Sequence, residues 1–103
     1  MTDAGPLASI AFETEIIEWR GPAPFVFAPI PEGQVGEIRY AARLASYGWG
    51  VVPVTAMIGG TRFTASLLPR NGGYLLPVKV AVQRAEHVTP GDRVTVSIEV
   101  FWR

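Results

Sequence analysis

The segment over residues 66–79 constrains the fold of this chain more than any other. A strand ends at Pro69, and Asn71 followed by two glycines predicts a tight turn, because glycine adopts the positive φ angles that such turns require. A short apolar strand is expected over residues 74–76, and Pro77 favours the start of a helix. A strand, a turn, a strand and a helix start in such close succession predict a small domain with tight connections.

Apolar and polar residues alternate along most of the remaining chain, and this alternation predicts strands. We expect them over residues 9–19, 25–27, 51–58, 62–68 and 93–102. Gly59 and Gly60 predict a hairpin turn between two of these strands. In the first strand the adjacent apolar residues Ile16 and Ile17 break the alternation, which predicts a bulge or a crossing from one side of a barrel to another.

Two segments show a helical repeat instead. Residues 32–45 form the first, with an expected inward face of Val35, Ile38, Ala42 and Ala45. Residues 78–86 form the second, with an expected inward face of Val78, Ala81, Val82 and Ala85. About six strands and two short helices with tight links predict a mainly β fold, a closed or nearly closed small β-barrel. We expect residues 1–103 to form one domain, with residues 1–7 flexible.

The composition excludes several chemistries. The chain has no cysteine, which removes thiol nucleophiles, disulfides and thiolate metal sites. With a single histidine and no acidic cluster of suitable spacing, we expect no metal site and no cofactor. Nine basic and nine acidic residues cancel, so no global field concentrates nucleic acid or anionic lipid. The absence of a secretory signal and of an apolar run of ~20 residues predicts a cytoplasmic protein with no membrane partner.

Several motifs occur in order along the chain and together resemble one family. They are Gly48-x-Gly50-x-x-Pro53-Val54, Ile58-Gly59-Gly60, Ser66-Leu67-x-Pro69, Gly72-Gly73-Tyr74-Leu75-Leu76-Pro77-Val78-Lys79 and Pro90-Gly91-Asp92-x-Val94. The chain resembles the bacterial family known only as domain of unknown function 1905 over roughly residues 10–100. The resemblance implies a double-split β-barrel fold and no established activity.

A second likeness lies inside the first. The unit Leu76-Pro77-Val78-x-Val80 followed by Gly91-Asp92-Arg93-Val94 is similar to the strand, proline, helix and Gly-Asp strand of AbrB/MazE-type regulators. Those proteins build a related barrel from two chains and bind DNA. Here both halves lie in one chain, so closing the barrel requires no dimer. The sequence is compatible with a monomer and with a homodimer. The basic clusters used for phosphate contact are missing, which argues against a nucleic-acid partner.

The residues most relevant to function lie near the predicted turns. Lys79, the only lysine, is expected in the first turn of the second helix, where backbone N–H groups favour an anion. It could also act as a nucleophilic amine, or lie free in solvent. Tyr74 either reaches a ligand with its hydroxyl or fills the core. Arg62 begins a polar strand face, and Trp49 between two glycines either contacts a ligand or packs in the core.

These considerations predict a ligand site at the mouth of the barrel, lined by Trp49, Arg62, Tyr74 and Lys79. The expected function is a non-enzymatic module that binds a small anionic or amphipathic ligand or a protein partner. Two alternatives stay open: an enzyme that uses Lys79, Tyr74 or a buried glutamate on a small molecule in the barrel, and AbrB-like nucleic-acid binding. An enclosed cavity of ~300 Å³ with converging polar groups favours the enzyme, whereas an interior filled with side chains does not.

Overall fold

A computed structural model describes residues 5–20, 25–45 and 50–101. Within these ranges the chain forms seven strands and two helices. The strands are β1 (Ala8–Glu15), β2 (Ile17–Trp19), β3 (Phe25–Pro29), β4 (Val52–Ile58), β5 (Thr61–Arg70), β6 (Gly73–Pro77) and β7 (Arg93–Val100). The helices are α1 (Glu32–Leu44), after β3, and α2 (Val80–Glu86), after β6. The prediction of a mainly β fold with two short helices is confirmed.

The strands form one antiparallel sheet that curls into a half-barrel, in the order β1-β7-β4-β5-β6-β3-β2. The long strand β5 serves both parts of it: residues 61–67 pair with β4, and residues 68–70 pair with β6. Strands β1 and β2 lie at opposite ends of this order, although only Ile16 separates them in the chain. The curl brings the two ends together, since the hydroxyl of Thr14 in β1 donates to the carbonyl of Pro29 in β3 at 2.7 Å.

The kink at Ile16 is held by the turn that precedes β7. The N–H of Ile16 donates to the carbonyl of Asp92 at 2.8 Å, and its carbonyl accepts the N–H of Gly91 at 2.7 Å. The Asp92 carboxylate in turn accepts the N–H and the hydroxyl of Thr89 at 2.9 and 3.2 Å. The Ile16 side chain is only 1% exposed and belongs to the hydrophobic core. Its buried backbone N–H and C=O groups both have hydrogen-bond partners. The predicted break in alternation is thus a crossing, and it makes seven strands out of the expected six.

Apolar side chains fill the inner side of the half-barrel. Alternate residues of β1, β4, β5 and β7 point inward and meet one buried stripe of α1, formed by Val35, Ile38 and Ala41. The one buried polar residue in the described ranges is Thr14, whose hydroxyl bond to β3 has been given. No buried side-chain nitrogen or oxygen in these ranges lacks a hydrogen-bond partner. The interior therefore has the packing expected of a small filled barrel.

The structure corrects the start of the second helix. The sequence predicted that Pro77 opens it and that Lys79 lies in its first turn. The helix instead begins at Val80, and Lys79 is its N-cap residue with extended dihedral angles of φ −63° and ψ 152°. Pro77 is the last residue of β6, and the N–H of Val78 donates to the carbonyl of Val26 at 2.9 Å. Pairing with β3 therefore continues past the proline and delays the helix.

The buried faces of both helices also differ in part from the prediction. In α2 only Val82 is buried, while Ala81 and Ala85 are exposed. This follows from the late start, since a helix of 7 residues presents a single narrow stripe to the sheet. In α1 the fully buried alanine within the helix is Ala41, and Ala42 is half-buried beside the core.

Predictions that concern residues 1–4, 21–24, 46–49 and 102–103 lie outside the described ranges, among them the end of the last strand at Trp102. Neither described helix is long and apolar enough to cross a membrane.

Candidate functional site

One half of the outer surface, over β1, β7, β4 and β5, is polar. Strand register places outward residues in rows across the sheet, such as the row formed by Ser9, Glu99, Thr55 and Thr64. Arg62 and Ser97 lie in the neighbouring row, on either side of Met57. The two polar strand faces that the sequence predicted, over residues 62–66 and 93–99, therefore lie on one continuous surface. We call it the polar half.

The polar half carries two concavities. The smaller, of about 100 Å³, is lined in part by Arg62, Ser97 and Glu99. It falls below the ~300 Å³ at which small-molecule sites begin. The larger, of about 440 Å³, runs along β4 and β5 and is lined by Pro53, Val54, Thr55, Thr64, Ala65, Ser66 and Phe101. The described residues of its lining carry hydroxyl groups, and none of them is charged.

The other half of the outer surface, over β2, β3, β6 and the end of β5, is apolar. Register places these outward side chains together: Ile17, Trp19, Phe25, Phe27, Pro29, Leu68, Leu75 and Pro77. Trp19 and Phe25 are 49% and 59% exposed. Their rings lie tilted against Phe27, with centroid distances of 6.1 and 6.3 Å, and help to bury it. The exposed members of this cluster include Ile17, Trp19, Phe25 and Leu68, whereas Phe27 and Leu75 are buried beneath them.

A groove of about 420 Å³ opens beside this apolar half, between β2, the end of β3 and the β5–β6 turn. We call it the β2–β6 groove. Its apolar walls include Ile17, Trp19 and Leu75, and the half-buried Tyr74, which also packs against the core, lines it as well. The described residues that line it are Ile17, Glu18, Trp19, Pro29, Ile30, Arg70, Asn71, Gly73, Tyr74 and Leu75. Predominantly apolar walls with a few polar groups are typical of small-molecule sites.

Two residues of the groove lining, Arg70 and Trp19, are in contact with each other. The guanidinium carbon of Arg70 lies 3.8 Å from the centroid of the Trp19 ring, although β6 and β3 separate their two strands in the sheet. Among the described residues no carboxylate pairs with Arg70; Glu18, the acid in the lining, instead lies 3.7 Å from Arg20. Stacking uses the flat face of a guanidinium and leaves the N–H groups at its edge free to bind.

The β5–β6 turn forms one wall of the groove and is anchored to α1. Both of its central residues have positive φ, 51° at Asn71 and 79° at Gly72, as in a two-residue hairpin turn. The Arg39 guanidinium in α1 donates to the carbonyl of Gly72 at 2.7 Å. A second groove, of about 400 Å³, continues on the far side of the turn, where Glu32 and Arg39 contribute to its lining. The turn is thus held in place between two adjoining grooves.

The four residues predicted to line one site are not gathered in any concavity described above. Tyr74 lines the β2–β6 groove, whereas Arg62 lines the small concavity on the polar half. Lys79 is exposed and lines none of them, and Trp49 lies outside the described residues. Along β5, Arg62 and the partner of Tyr74, Pro69, are separated by roughly 23 Å at the rise of a strand. Ligand binding by these residues stays a prediction.

Sequence reasoning missed Trp19 and Arg70. The one local signal was the break at Ile16, after which Ile17 and Trp19 become the outward residues of β2. Nothing in the chain near Arg70 indicates that its partner lies three strands away in the sheet.

The acidic and histidine residues bear on the enzymatic alternative. Within the described ranges no group of three or more histidine or acidic residues is arranged to hold a metal ion. None of the glutamates there is buried, and the half-buried Glu86 accepts a hydrogen bond of 2.5 Å from the hydroxyl of Thr61. Glu13, one of two neighbouring carboxylates in β1, lies exposed and 3.6 Å from Arg93.

Comparison with known families identifies the chain. No curated protein matches it. A family model described as "Domain of unknown function (DUF1905)" matches residues 12–98. The match runs from β1 to β7 and includes every residue that lines the β2–β6 groove. Since it covers most of the chain, the resemblance seen in the motifs is confirmed, and the protein belongs to the DUF1905 family.

Proposed function

We propose that this protein is a non-enzymatic binding module and that the β2–β6 groove is its site for a small amphipathic ligand. The observation that carries the proposal is the Arg70–Trp19 contact, which places at a groove with apolar walls a cation that pairs with no carboxylate among the described residues. The groove volume of about 420 Å³ falls in the range of ~300–1,000 Å³ typical of ligand sites.

The side chains of the groove suit recognition better than catalysis. Its ionisable groups are Glu18, Arg70 and Tyr74. Arginine stays protonated and cannot exchange a proton with a substrate. Glu18 already faces Arg20, and Lys79 does not line the groove. A cation, a phenol and apolar walls together orient a ligand, but they do not supply a paired base and nucleophile.

The proposal predicts that Trp19→Ala weakens binding of a fluorescent amphipathic probe, anilinonaphthalene sulfonate. We expect about a tenfold loss of affinity, because an exposed aromatic wall of the site is removed. The matched control is Tyr40→Ala, which removes another exposed aromatic, 63% accessible, from α1 outside the groove. Fluorescence titration of the three proteins measures the affinities. Equal losses in both variants, or no binding to the unmodified protein, would contradict the proposal.

A further inference from the structure

We infer that the ligand of the β2–β6 groove is a small carboxylic acid with an apolar body, and that Arg70 binds its carboxylate. This inference rests on the function proposed above and adds the chemical class of the ligand. It requires that Arg70 is available, that the charge around the groove favours an anion, and that the walls favour an apolar body.

The first step is the state of Arg70. Its guanidinium carbon lies 3.8 Å from the Trp19 ring centroid, so one face of the planar group is held against the indole. A free arginine loses much side-chain entropy when it binds a ligand, and a stacked one loses less. The N–H groups at its edge match the two oxygens of a carboxylate in a bidentate pair. No carboxylate among the described residues occupies that edge. The N–H groups of Arg70 are therefore available to donate hydrogen bonds to the carboxylate of a ligand.

The second step is the charge around the groove. Glu18 in the lining is offset by Arg20 at 3.7 Å. Beyond the turn, the adjoining groove holds one acid and one base, Glu32 and Arg39. Among the described residues in or paired at the two grooves, Arg20, Arg39 and Arg70 outnumber Glu18 and Glu32 by one positive charge. A ligand with a single negative charge complements this excess, whereas an ammonium group does not.

The third step is the body of the ligand. Ile17, Leu75 and the ring of Tyr74 make walls that gain from burying apolar surface. Phosphate groups carry more charge and are held by several donors. The described lining of the groove holds one guanidinium, which suits the two oxygens of a carboxylate. The combination of one guanidinium and apolar walls therefore fits an amphipathic monocarboxylate.

The test compares three ligands with the same body: 2-naphthoate, 2-naphthalenemethanol and 2-naphthylmethylammonium. Titration of the ¹⁵N-labelled protein followed by amide chemical shifts gives both the affinity and the location of binding. We expect 2-naphthoate to shift amides of β2, β6 and the β5–β6 turn and to bind about tenfold more tightly than the alcohol, the size of a charge-assisted pair. The ammonium ligand is expected to bind most weakly.

Substitutions assign the preference to Arg70. In Arg70→Gln the tenfold preference for the carboxylate disappears, while the alcohol still binds. The control Arg62→Gln removes an equal charge from the polar half and leaves the preference unchanged. If Arg70→Gln disturbs amides far from the groove, the affinity of Arg70→Lys for 2-naphthoate tests the role of Arg70 instead. Lysine keeps the charge but lacks the planar fork, so 2-naphthoate should bind at least about threefold more weakly with the alcohol unaffected.

The outcomes separate the two proposals. Equal binding of the carboxylate and the alcohol in the groove overturns the carboxylate inference and leaves the groove as a ligand site. A preference that survives in Arg70→Gln, or an unchanged affinity in Arg70→Lys, overturns the assignment to Arg70. If none of the three ligands shifts groove amides at millimolar concentration, both the inference and the proposed function are wrong.

Discussion

Gly59, in the β4–β5 turn, is a residue where backbone conformation and a side-chain contact impose the same requirement. Its φ of 56° is one that residues with a Cβ rarely adopt. A Cβ at this position would also collide with the carboxylate of Glu86, which accepts the hydroxyl hydrogen bond of Thr61. The positive φ and the position of the Glu86 carboxylate therefore both favour glycine here.

We predict that Gly59→Ala lowers the free energy of unfolding by about 1–3 kcal/mol, through backbone strain and displacement of Glu86. Gly60→Ala is the matched control, because no atom lies within 4 Å of its Cβ position and its φ is not positive. We expect the control to change stability by less than about 0.5 kcal/mol. Urea unfolding of both variants measures the difference. Similar changes in the free energy of unfolding for Gly59→Ala and Gly60→Ala would show that neither the backbone angle nor the Glu86 contact requires glycine at position 59.

At the scale of elements, α1 depends on packing more than on its own sequence. It buries one stripe against the sheet, and its N-cap residue, Pro31, makes no side-chain capping bond. Its interior includes Gly36, which is exposed and has no atom within 4 Å of its Cβ position. Glycine in a helix interior costs stability, because the unfolded chain gains backbone freedom.

We predict that Gly36→Ala raises the free energy of unfolding by about 0.5–1 kcal/mol. Gly33→Ala, in the first turn of the same helix, is expected to give a smaller gain because helix ends fray. Thermal or urea unfolding measures both. A loss of stability in Gly36→Ala would mean that the open space beside this residue is needed by the fold.

The start of α2 shows how far reasoning about elements from sequence can go. Pro77 is a valid local signal for a helix start. A hydrogen bond from Val78 to Val26 extends the strand instead, and that bond joins residues far apart in the chain. Local signals located the helix, but a distant strand decided its first residue.

At the scale of the whole molecule, the two halves of the outer surface share strand β5. Leu67 is the last residue paired with β4, the next residue pairs with β6, and the Leu67 side chain is 0% exposed. Its position couples the polar half to the apolar half. The two halves should therefore unfold together.

We predict that Leu67→Ala costs about 2–5 kcal/mol, the range for a large buried aliphatic side chain. Amide hydrogen exchange should accelerate by the same factor in β7 of the polar half and β3 of the apolar half. Ser66→Ala, at the exposed neighbouring position, should cost less than about 0.5 kcal/mol. Acceleration confined to one of the two strands would show that the halves unfold separately.

The sequence by itself determined which segments are extended and, in the strands that alternate clearly, which residues face inward. Phe63 and Leu67 are buried and Arg62 and Thr64 are exposed, as alternation predicts, because a period of two is a local property of an extended chain. The break in alternation at Ile16 and Ile17, predicted to be a bulge or a crossing, was visible in the sequence for the same reason.

Only the tertiary structure decided the order of the strands and therefore the site. Tyr74 was predicted to face a ligand together with Arg62 and Lys79, but the sheet places it beside Trp19 and Arg70. Sheet order and curl bring the last residue of β5 to the last residue of β2, although they are distant in the chain and three strands apart in the sheet. Contacts of that kind depend on which strands become neighbours, and strand pairing is not encoded in the alternation of any single strand.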